Sequence, residues 1–120
     1  DPDMVADFVE RTGCDTLAVA VGNVHGIEVE PKIDIPLLAK LAEISAVPLV
    51  LHGGSGTGDE NLRRAVREGI AKLNIYTDFL TGAMAEIKAA HTDSLIETQK
   101  AADEGMRRVL THYINLISKI

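Results

Sequence analysis

Residues 47–58, VPLVLHGGSGTG, join a short apolar run to a glycine-rich segment. A continuous aliphatic run of this length is typical of a strand that is covered on both faces of a parallel sheet. Pro48 is compatible with a strand because it lies near the start of the run, where a missing backbone N–H is tolerated. Asp59, directly after the glycines, is predicted to cap the beginning of a helix. The stretch therefore predicts a strand, a glycine-rich loop and a helix in that order.

The same alternation of apolar runs and amphipathic segments extends over the whole chain. Further strands are predicted at residues 15–22 and 70–75. Helices are predicted before, between and after the strands, at residues 1–12, 34–44, 59–68 and 77–90, with a C-terminal helix over about residues 95–120. This order is typical of an α/β protein built from parallel βαβ units.

Three parallel strands do not complete a barrel. A (β/α)8 barrel has eight strands and about 200–250 residues, whereas this chain has 120. An open sheet of three strands would leave both of its edges uncovered. The pattern alone therefore predicts either a small three-stranded α/β sandwich or part of a barrel.

The composition excludes several classes of protein. The chain has 46% hydrophobic and 25% charged residues, as globular proteins do. Its formal net charge of −6 disfavours a nucleic-acid binder, which needs a basic face, and no apolar run approaches the ~18–20 residues of a membrane span. The single cysteine, Cys14, fits a reducing compartment. We therefore expect a cytoplasmic protein with no nucleic-acid or membrane partner.

Polar residues follow each of the three predicted strands. His25 comes after the first strand, His52 directly ends the second and Asn74 ends the third. Ligands bind at the carboxyl ends of parallel strands, so we expect these residues to lie at one edge. The two imidazoles are potential zinc ligands, although a catalytic zinc usually has three protein ligands and each histidine could instead hydrogen-bond locally. His91 and His112 have no such context, and we expect both to be solvated.

The glycine-rich segment predicts an anion site. Glycines let backbone N–H groups approach a phosphate, and the following helix presents its positive end to the same point, although the glycines could also serve the turn alone. Ser55 and Thr77 are candidate hydroxyl donors. The lysine of a nucleotide-binding loop is absent, which favours the phosphate ester of a small metabolite over ATP or GTP. Asn74 either caps the turn or binds substrate hydroxyls, and Asp78 is expected to be a first-turn helix charge rather than a base.

Three motifs together resemble one enzyme family. Residues 22–26, GNVHG, residues 48–56, PLVLHGGSG, and residues 70–78, IAKLNIYTD, are similar to the C-terminal half of class II, metal-dependent ketose-bisphosphate aldolases. This family includes the fructose- and tagatose-bisphosphate aldolases. The resemblance implies a TIM barrel in which these strands are the last three. It also implies reversible cleavage of a ketose 1,6-bisphosphate to dihydroxyacetone phosphate and glyceraldehyde 3-phosphate.

The resemblance further implies roles for particular residues. His25 and His52 match zinc ligands, and the zinc would polarise the substrate ketone. Gly26 matches a backbone contact to the dihydroxyacetone phosphate half of the substrate, and in the family a monovalent cation often lies beside the phosphate. The remaining matches are substrate- and phosphate-binding residues of the two later loops: Gly53, Gly54, Ser55, Asn74, Ile75, Tyr76 and Thr77.

Other parts of the family pattern have no counterpart in this chain. The remaining zinc histidine and the aspartate that moves the substrate hydroxyl proton belong to a motif on an earlier strand, so we assign no catalytic base here. Tyr76 stands where many members have a small residue. We therefore expect residues 1–120 to be one partial domain, the C-terminal part of a homo-oligomeric enzyme, and to be inactive alone. The alternatives are a non-catalytic phosphate- or metal-binding remnant, a half-barrel that needs a partner chain, and a non-aldolase phosphate-binding barrel such as an isomerase.

Overall fold

A computed structural model describes residues 1–23 and 32–118. The elements in these ranges are a 3-10 helix Pro2–Met4, α1 Val5–Thr12, β1 Leu17–Ala18, α2 Ile35–Ile44, β2 Leu49–Leu51, α3 Asp59–Arg67, β3 Ile70–Leu73, α4 Thr77–Ala90 and α5 Leu95–Ile117. Their order agrees with the predicted alternation of helices and strands. Among the described residues, no helix is long and apolar enough to cross a membrane.

The three strands form one parallel sheet in chain order, with β2 in the centre. Leu17 of β1 pairs with Leu49 of β2, and Leu51 of β2 pairs with Leu73 of β3. Because the strands are parallel, their carboxyl ends all lie at the same edge of the sheet. The loops that follow the strands therefore share that edge.

The first strand is shorter than predicted. The apolar run at residues 15–22 predicts a strand covered on both faces, but β1 contains only Leu17–Ala18, and its second residue is exposed. Hydrogen bonding explains the early end. The N–H of Val21 donates to the side-chain oxygen of Asn23 at 2.8 Å, and the carbonyl of Val21 accepts from the N–H of Asp34 at 2.8 Å. These groups are therefore bonded to the following loop and not to β2.

An aliphatic core lies around the central strand. All three residues of β2 are buried, as predicted for a strand covered on both faces. Leucines from α2 and α3 pack against β2 in the same cluster. The largest side chains that are fully buried in this part of the fold are Leu38, Leu49, Leu51 and Leu62.

Most helix ends follow local sequence signals, with one exception. The carboxylate of Asp34 accepts from the N–H of Leu37 at 2.9 Å and so caps α2. Gly13 ends α1 with a φ of +62°, directly after the predicted helix range 1–12. The prediction that Asp59 caps α3 is wrong. Gly58, with a φ of +84°, occupies the capping position, and Asp59 is the first helical residue. The carboxylate of Asp59 is therefore available for contacts outside α3.

The last two helices pack against each other as an antiparallel hairpin. His91 ends α4 in the left-handed region, with a φ of +45°, and residues 92–94 lead into α5. The backbones approach most closely where Gly82 faces Gly105, since a Cβ at position 105 would lie 2.2 Å from the carbonyl oxygen of Gly82. This close packing brings the end of α5 alongside the beginnings of α3 and α4.

Candidate functional site

Hydrogen bonds join the ends of the strands. The N–H of Asn74 donates to the carbonyl of Leu51 at 2.9 Å, and the N–H of Gly54 donates to the carbonyl of Asn74 at 3.1 Å. The side-chain amide of Asn23, which follows β1, donates to the carbonyl of His52 at 3.0 Å. The residues after the three strands therefore meet at one edge of the sheet.

His52 and Asn74, predicted to be neighbours, are in direct contact. The amide nitrogen of Asn74 lies 3.0 Å from Nε2 and 3.2 Å from Nδ1 of the imidazole. The amide oxygen of Asn74 accepts from the Lys72 ammonium group. Because this bond occupies the oxygen, the NH2 group of Asn74 faces the ring and donates to it. Asn74 thereby fixes the orientation of the imidazole at the rim of the sheet.

Ser55 links the two loops that follow β2 and β3. It is almost fully buried, with 4% of its surface exposed. Its Oγ accepts from the N–H of Tyr76 at 3.1 Å and from the N–H of Asp78 at 3.2 Å. A hydroxyl has one proton to donate in addition to its lone pairs, so these bonds leave the O–H of Ser55 as a donor. The residue thus acts as an acceptor inside the fold, a role that its position in the sequence does not predict.

A cavity of about 340 Å³ lies between these two loops. Its lining contains all the described candidate residues except Gly54, namely His52, Gly53, Ser55, Asn74, Ile75, Tyr76 and Thr77. Gly54 is buried beneath the cavity, where a Cβ would lie 2.5 Å from the side chain of Ile75 and 3.2 Å from the carbonyl oxygen of Asn74. Glycine at this position therefore lets the two loops approach each other.

The described residues do not form a complete metal site. His25 and Gly26 lie outside residues 1–23 and 32–118. Within those ranges, no three His, Cys, Asp or Glu side chains are grouped closely enough to hold a metal ion. Imidazole is a common zinc ligand, and the His52 ring lines the cavity. The described residues therefore fit one zinc ligand but do not form a complete site.

The comparisons with known proteins identify the family. A family model described as class-II fructose-bisphosphate aldolase matches residues 1–120. The chain belongs to the class-II fructose-bisphosphate aldolase family. This membership confirms the resemblance inferred from the three motifs. It also decides between the two architectures that the pattern left open, because the parallel strands and their helices form part of an aldolase barrel.

Individual relatives of this aldolase-family chain agree with that assignment. The uncharacterized protein YdjI of Escherichia coli K12 is 38% identical over 117 residues, which are 97% of this chain and 42% of YdjI. The crystal structure of the YdjI aldolase matches with a TM-score of 0.87 at 37% identity, covering 98% of this chain and 44% of YdjI. Fructose-bisphosphate aldolase from Campylobacter jejuni shares the fold, with a TM-score of 0.74 at 20% identity, covering 97% of this chain and 45% of the enzyme. The chain thus spans less than half the length of these relatives.

Two residues near the end of α5 make contacts that the sequence does not predict. His112 is exposed, as expected, with 52% of its side chain accessible to solvent, and its Nε2 also lies 3.0 Å from Oδ1 of Asp59. The neighbouring Tyr113 donates its hydroxyl proton to the carboxylate of Asp78. The partners of His112 and Tyr113 lie 53 and 35 residues away. No local pattern in the chain contains this information.

The Tyr113 hydroxyl gives a prediction about pH. Burial, followed by the hydrogen bond and charge of Asp78 and the charge of Asp59, raises the pKa of Tyr113. Its contribution to stability is therefore complete below the unfolded pKa of about 10 and is lost as the pH rises through the folded value. We expect Tyr113→Phe to lower the free energy of unfolding by about 1–2 kcal/mol near neutral pH, since the bond has a charged acceptor.

Urea unfolding of both proteins at several pH values measures this difference. It should stay constant between about pH 7 and pH 9 and shrink above about pH 10. The other titratable side chains around the hydroxyl are retained in both proteins, so their effects cancel. A difference that grows with pH would contradict the expected direction.

Proposed function

We propose that this chain is the C-terminal part of a class II aldolase that reversibly cleaves a ketose 1,6-bisphosphate, either fructose or tagatose bisphosphate. The products would be dihydroxyacetone phosphate and glyceraldehyde 3-phosphate. The observation that carries this proposal is the cavity between the β2 and β3 loops, where an imidazole adjoins a glycine-rich loop and the beginning of a helix. Family membership supports the reaction class.

In this proposal, the phosphate of dihydroxyacetone phosphate binds between the glycine-rich loop and α4. Gly53 contributes backbone to the cavity, and Ser55 contributes the hydroxyl proton that its two accepted bonds leave over. Thr77 is the first residue of α4, and the N–H of the next residue, Asp78, donates to Ser55 Oγ. The positive end of a helix favours an anion. A monovalent cation beside the phosphate would reduce its charge.

His52, together with His25, is the proposed zinc ligand pair. Bound zinc would supply a Lewis acid for the ketone carbonyl and for the enediolate oxygens. In this structure the ring nitrogen of His52 that accepts from the Asn74 amide is the one whose lone pair a neutral imidazole would give to zinc, so zinc binding would displace that bond. The 120 residues are proposed to form one partial domain. The further zinc ligand and the catalytic base are proposed to come from polypeptide outside these residues.

Tyr76 and Ile75 complete the substrate side of the proposed site. Tyr76 is 71% exposed at the cavity, so its ring would restrict the entrance where many family members have a small residue. The proposal also includes a cytoplasmic homo-oligomer without nucleic-acid or membrane partners. Exposed apolar side chains along α4 and α5 support self-association, among them Leu80, Met84, Leu110 and Ile114.

The test uses the protein expressed from its native gene, together with any chain that copurifies. Fructose and tagatose 1,6-bisphosphates are offered separately, and the release of dihydroxyacetone phosphate is followed with a coupled dehydrogenase. We expect cleavage of one of the two substrates, loss of cleavage after chelator treatment and recovery with Zn²⁺. The 120-residue chain alone is expected to bind dihydroxyacetone phosphate without cleaving either bisphosphate.

Calorimetric titration with dihydroxyacetone phosphate separates the competing functions. Binding without cleavage by the native protein would favour the non-catalytic phosphate-binding alternative. Cleavage that resists the chelator would contradict the proposed metal dependence. A native protein that neither binds nor cleaves would refute the proposed function altogether.

A further inference from the structure

Helix α5 contacts both helices that follow the proposed phosphate loops. His112 is paired with Asp59, the first residue of α3, and Tyr113 is bonded to Asp78, the second residue of α4. The glycine-rich loop ends where α3 begins, and the loop after β3 ends where α4 begins. Two adjacent residues of one helix therefore hold the distal ends of both loops.

The contact through Asp78 reaches the proposed phosphate site directly. Tyr113 bonds to the side chain of Asp78, while the backbone N–H of the same residue donates to Oγ of Ser55 at 3.2 Å. The other end of the glycine-rich loop is also fixed, because Oγ1 of Thr57 donates to the carbonyl of Gly53 at 3.1 Å. A shift of Asp78 would therefore change the position of the Ser55 hydroxyl.

Packing alone does not hold the glycine-rich loop, residues 52–58, against α5. A cavity of about 480 Å³ lies between them, and Gly56, Gly58 and Val109 are part of its lining. The four polar side chains of the two contacts line the same cavity. The contacts cross a space that apolar side chains leave unfilled, so the position of the loop relative to α5 depends on them.

Charge gives these contacts a second consequence. Asp59 and Asp78 place two carboxylates in the first turns of α3 and α4, close to a site proposed for a phosphate. The carboxylates repel a phosphate because both groups are negatively charged. A hydrogen bond or a nearby cation stabilises the charge of a carboxylate and weakens this repulsion. A phenol is protonated at neutral pH, so Tyr113 is a proton donor to Asp78 there, and burial, followed by the bond to Asp78, raises its pKa further.

We propose that His112 and Tyr113 are positioning residues that hold the two phosphate-binding loops in their binding geometry through Asp59 and Asp78. The phosphate part of this inference rests on the proposed function. The restraint of the loops is a property of the chain itself and can be tested separately.

The test compares Tyr113→Phe with the native protein in two measurements. Titration with dihydroxyacetone phosphate gives the dissociation constant, which we expect to rise about threefold to tenfold. Hydrogen exchange followed by NMR reports the N–H groups of Tyr76 and Asp78, and we expect both to exchange at least about tenfold faster. An Asp78→Ala background should abolish the additional effect of Tyr113→Phe, because the phenol acts through that carboxylate. His112→Gln should accelerate exchange in the first turn of α3.

Two control variants separate positioning from a general loss of stability. Thr111→Val removes from the same helix a hydroxyl whose one bond to a described residue is to the carbonyl of Arg107, and should change neither measurement. Val5→Ala destabilises the core from α1, where Val5 lines a cavity with residues of β1 and α2 and of neither loop, and should leave the dissociation constant unchanged.

The outcomes distinguish this inference from the proposed function. Unchanged exchange at Tyr76 and Asp78 in Tyr113→Phe would overturn the positioning role, whether or not the ligand binds. If Tyr113→Phe shows faster exchange but the native protein does not bind dihydroxyacetone phosphate, the restraint of the loops is supported and the proposed function is refuted. A raised dissociation constant in Val5→Ala as large as that in Tyr113→Phe would also overturn positioning.

Discussion

Gly105→Ala is expected to lower the free energy of unfolding by about 2 kcal/mol or more. A Cβ at this position would lie 2.2 Å from the carbonyl oxygen of Gly82, 2.6 Å from its carbonyl carbon and 2.8 Å from the Cα of Ala83. These are backbone atoms of α4, which cannot rotate away as the end of a side chain can. Overpacking of this kind costs about 3 kcal/mol, and the better helix propensity of alanine returns only about 1 kcal/mol.

Denaturant unfolding followed by circular dichroism measures this effect. Gln99→Ala is the matched control, because it introduces the same residue on an exposed position of the same helix. The control should remain within about 0.5 kcal/mol of the native protein. A Gly105→Ala protein as stable as the control would mean that α4 and α5 separate at little cost. Separation of α4 from α5 would also move Tyr113 away from Asp78. Gly105→Ala should therefore share with Tyr113→Phe the faster exchange of the N–H groups of Tyr76 and Asp78, which donate to Ser55.

The helices of this chain could be predicted closely because their signals are local. The predicted range 77–90 coincides with α4, and the helix predicted from residue 95 begins with the hydroxyl of Ser94 accepting from the N–H of Glu97. Both the N-cap residue and the 3.6-residue spacing of apolar side chains can be recognised within a short stretch of sequence. The first strand was predicted less well, because an apolar run does not specify how many of its backbone groups meet a partner strand. There the side chain of Asn23 takes the N–H of Val21.

The candidate site could be predicted in composition but not in its connections. Parallel strands place their carboxyl ends at one edge, so His52 and Asn74 were expected to be close and are in contact. Their functional roles remain predictions. The acceptor role of Ser55 depends on a loop 21 residues away. The contact between His112 and Asp59 depends on the packing of α5, which local sequence does not encode.

His52→Ala and Ser55→Ala are expected to separate the two halves of the proposed site. If His52 ligates zinc, its loss should reduce chelator-sensitive cleavage by more than the ~10–100-fold that loss of an outer-shell partner costs. Binding of dihydroxyacetone phosphate should weaken far less, because the phosphate loop keeps its own bonds. Ser55→Ala removes the acceptor of two backbone N–H groups and the remaining hydroxyl donor. Unsatisfied groups cost ~1–3 kcal/mol, so the dissociation constant should rise about tenfold or more while bound zinc is retained.

Both variants are measured in the native protein by cleavage rate, calorimetric titration and zinc content. Thr98→Val is the control, because the one bond that its hydroxyl makes to a described residue is to the carbonyl of Ser94, the capping residue of α5, and it should match the native protein in all three. The expected result is a crossed pattern, with zinc content lost in one variant and phosphate affinity lost in the other. Full zinc content in His52→Ala would rule this imidazole out as a ligand and leave it the hydrogen-bonding role that it already has with Asn74. Loss of both properties in both variants would mean that the loops after β2 and β3 fold as one unit, because removing either side chain would then disrupt the whole cavity.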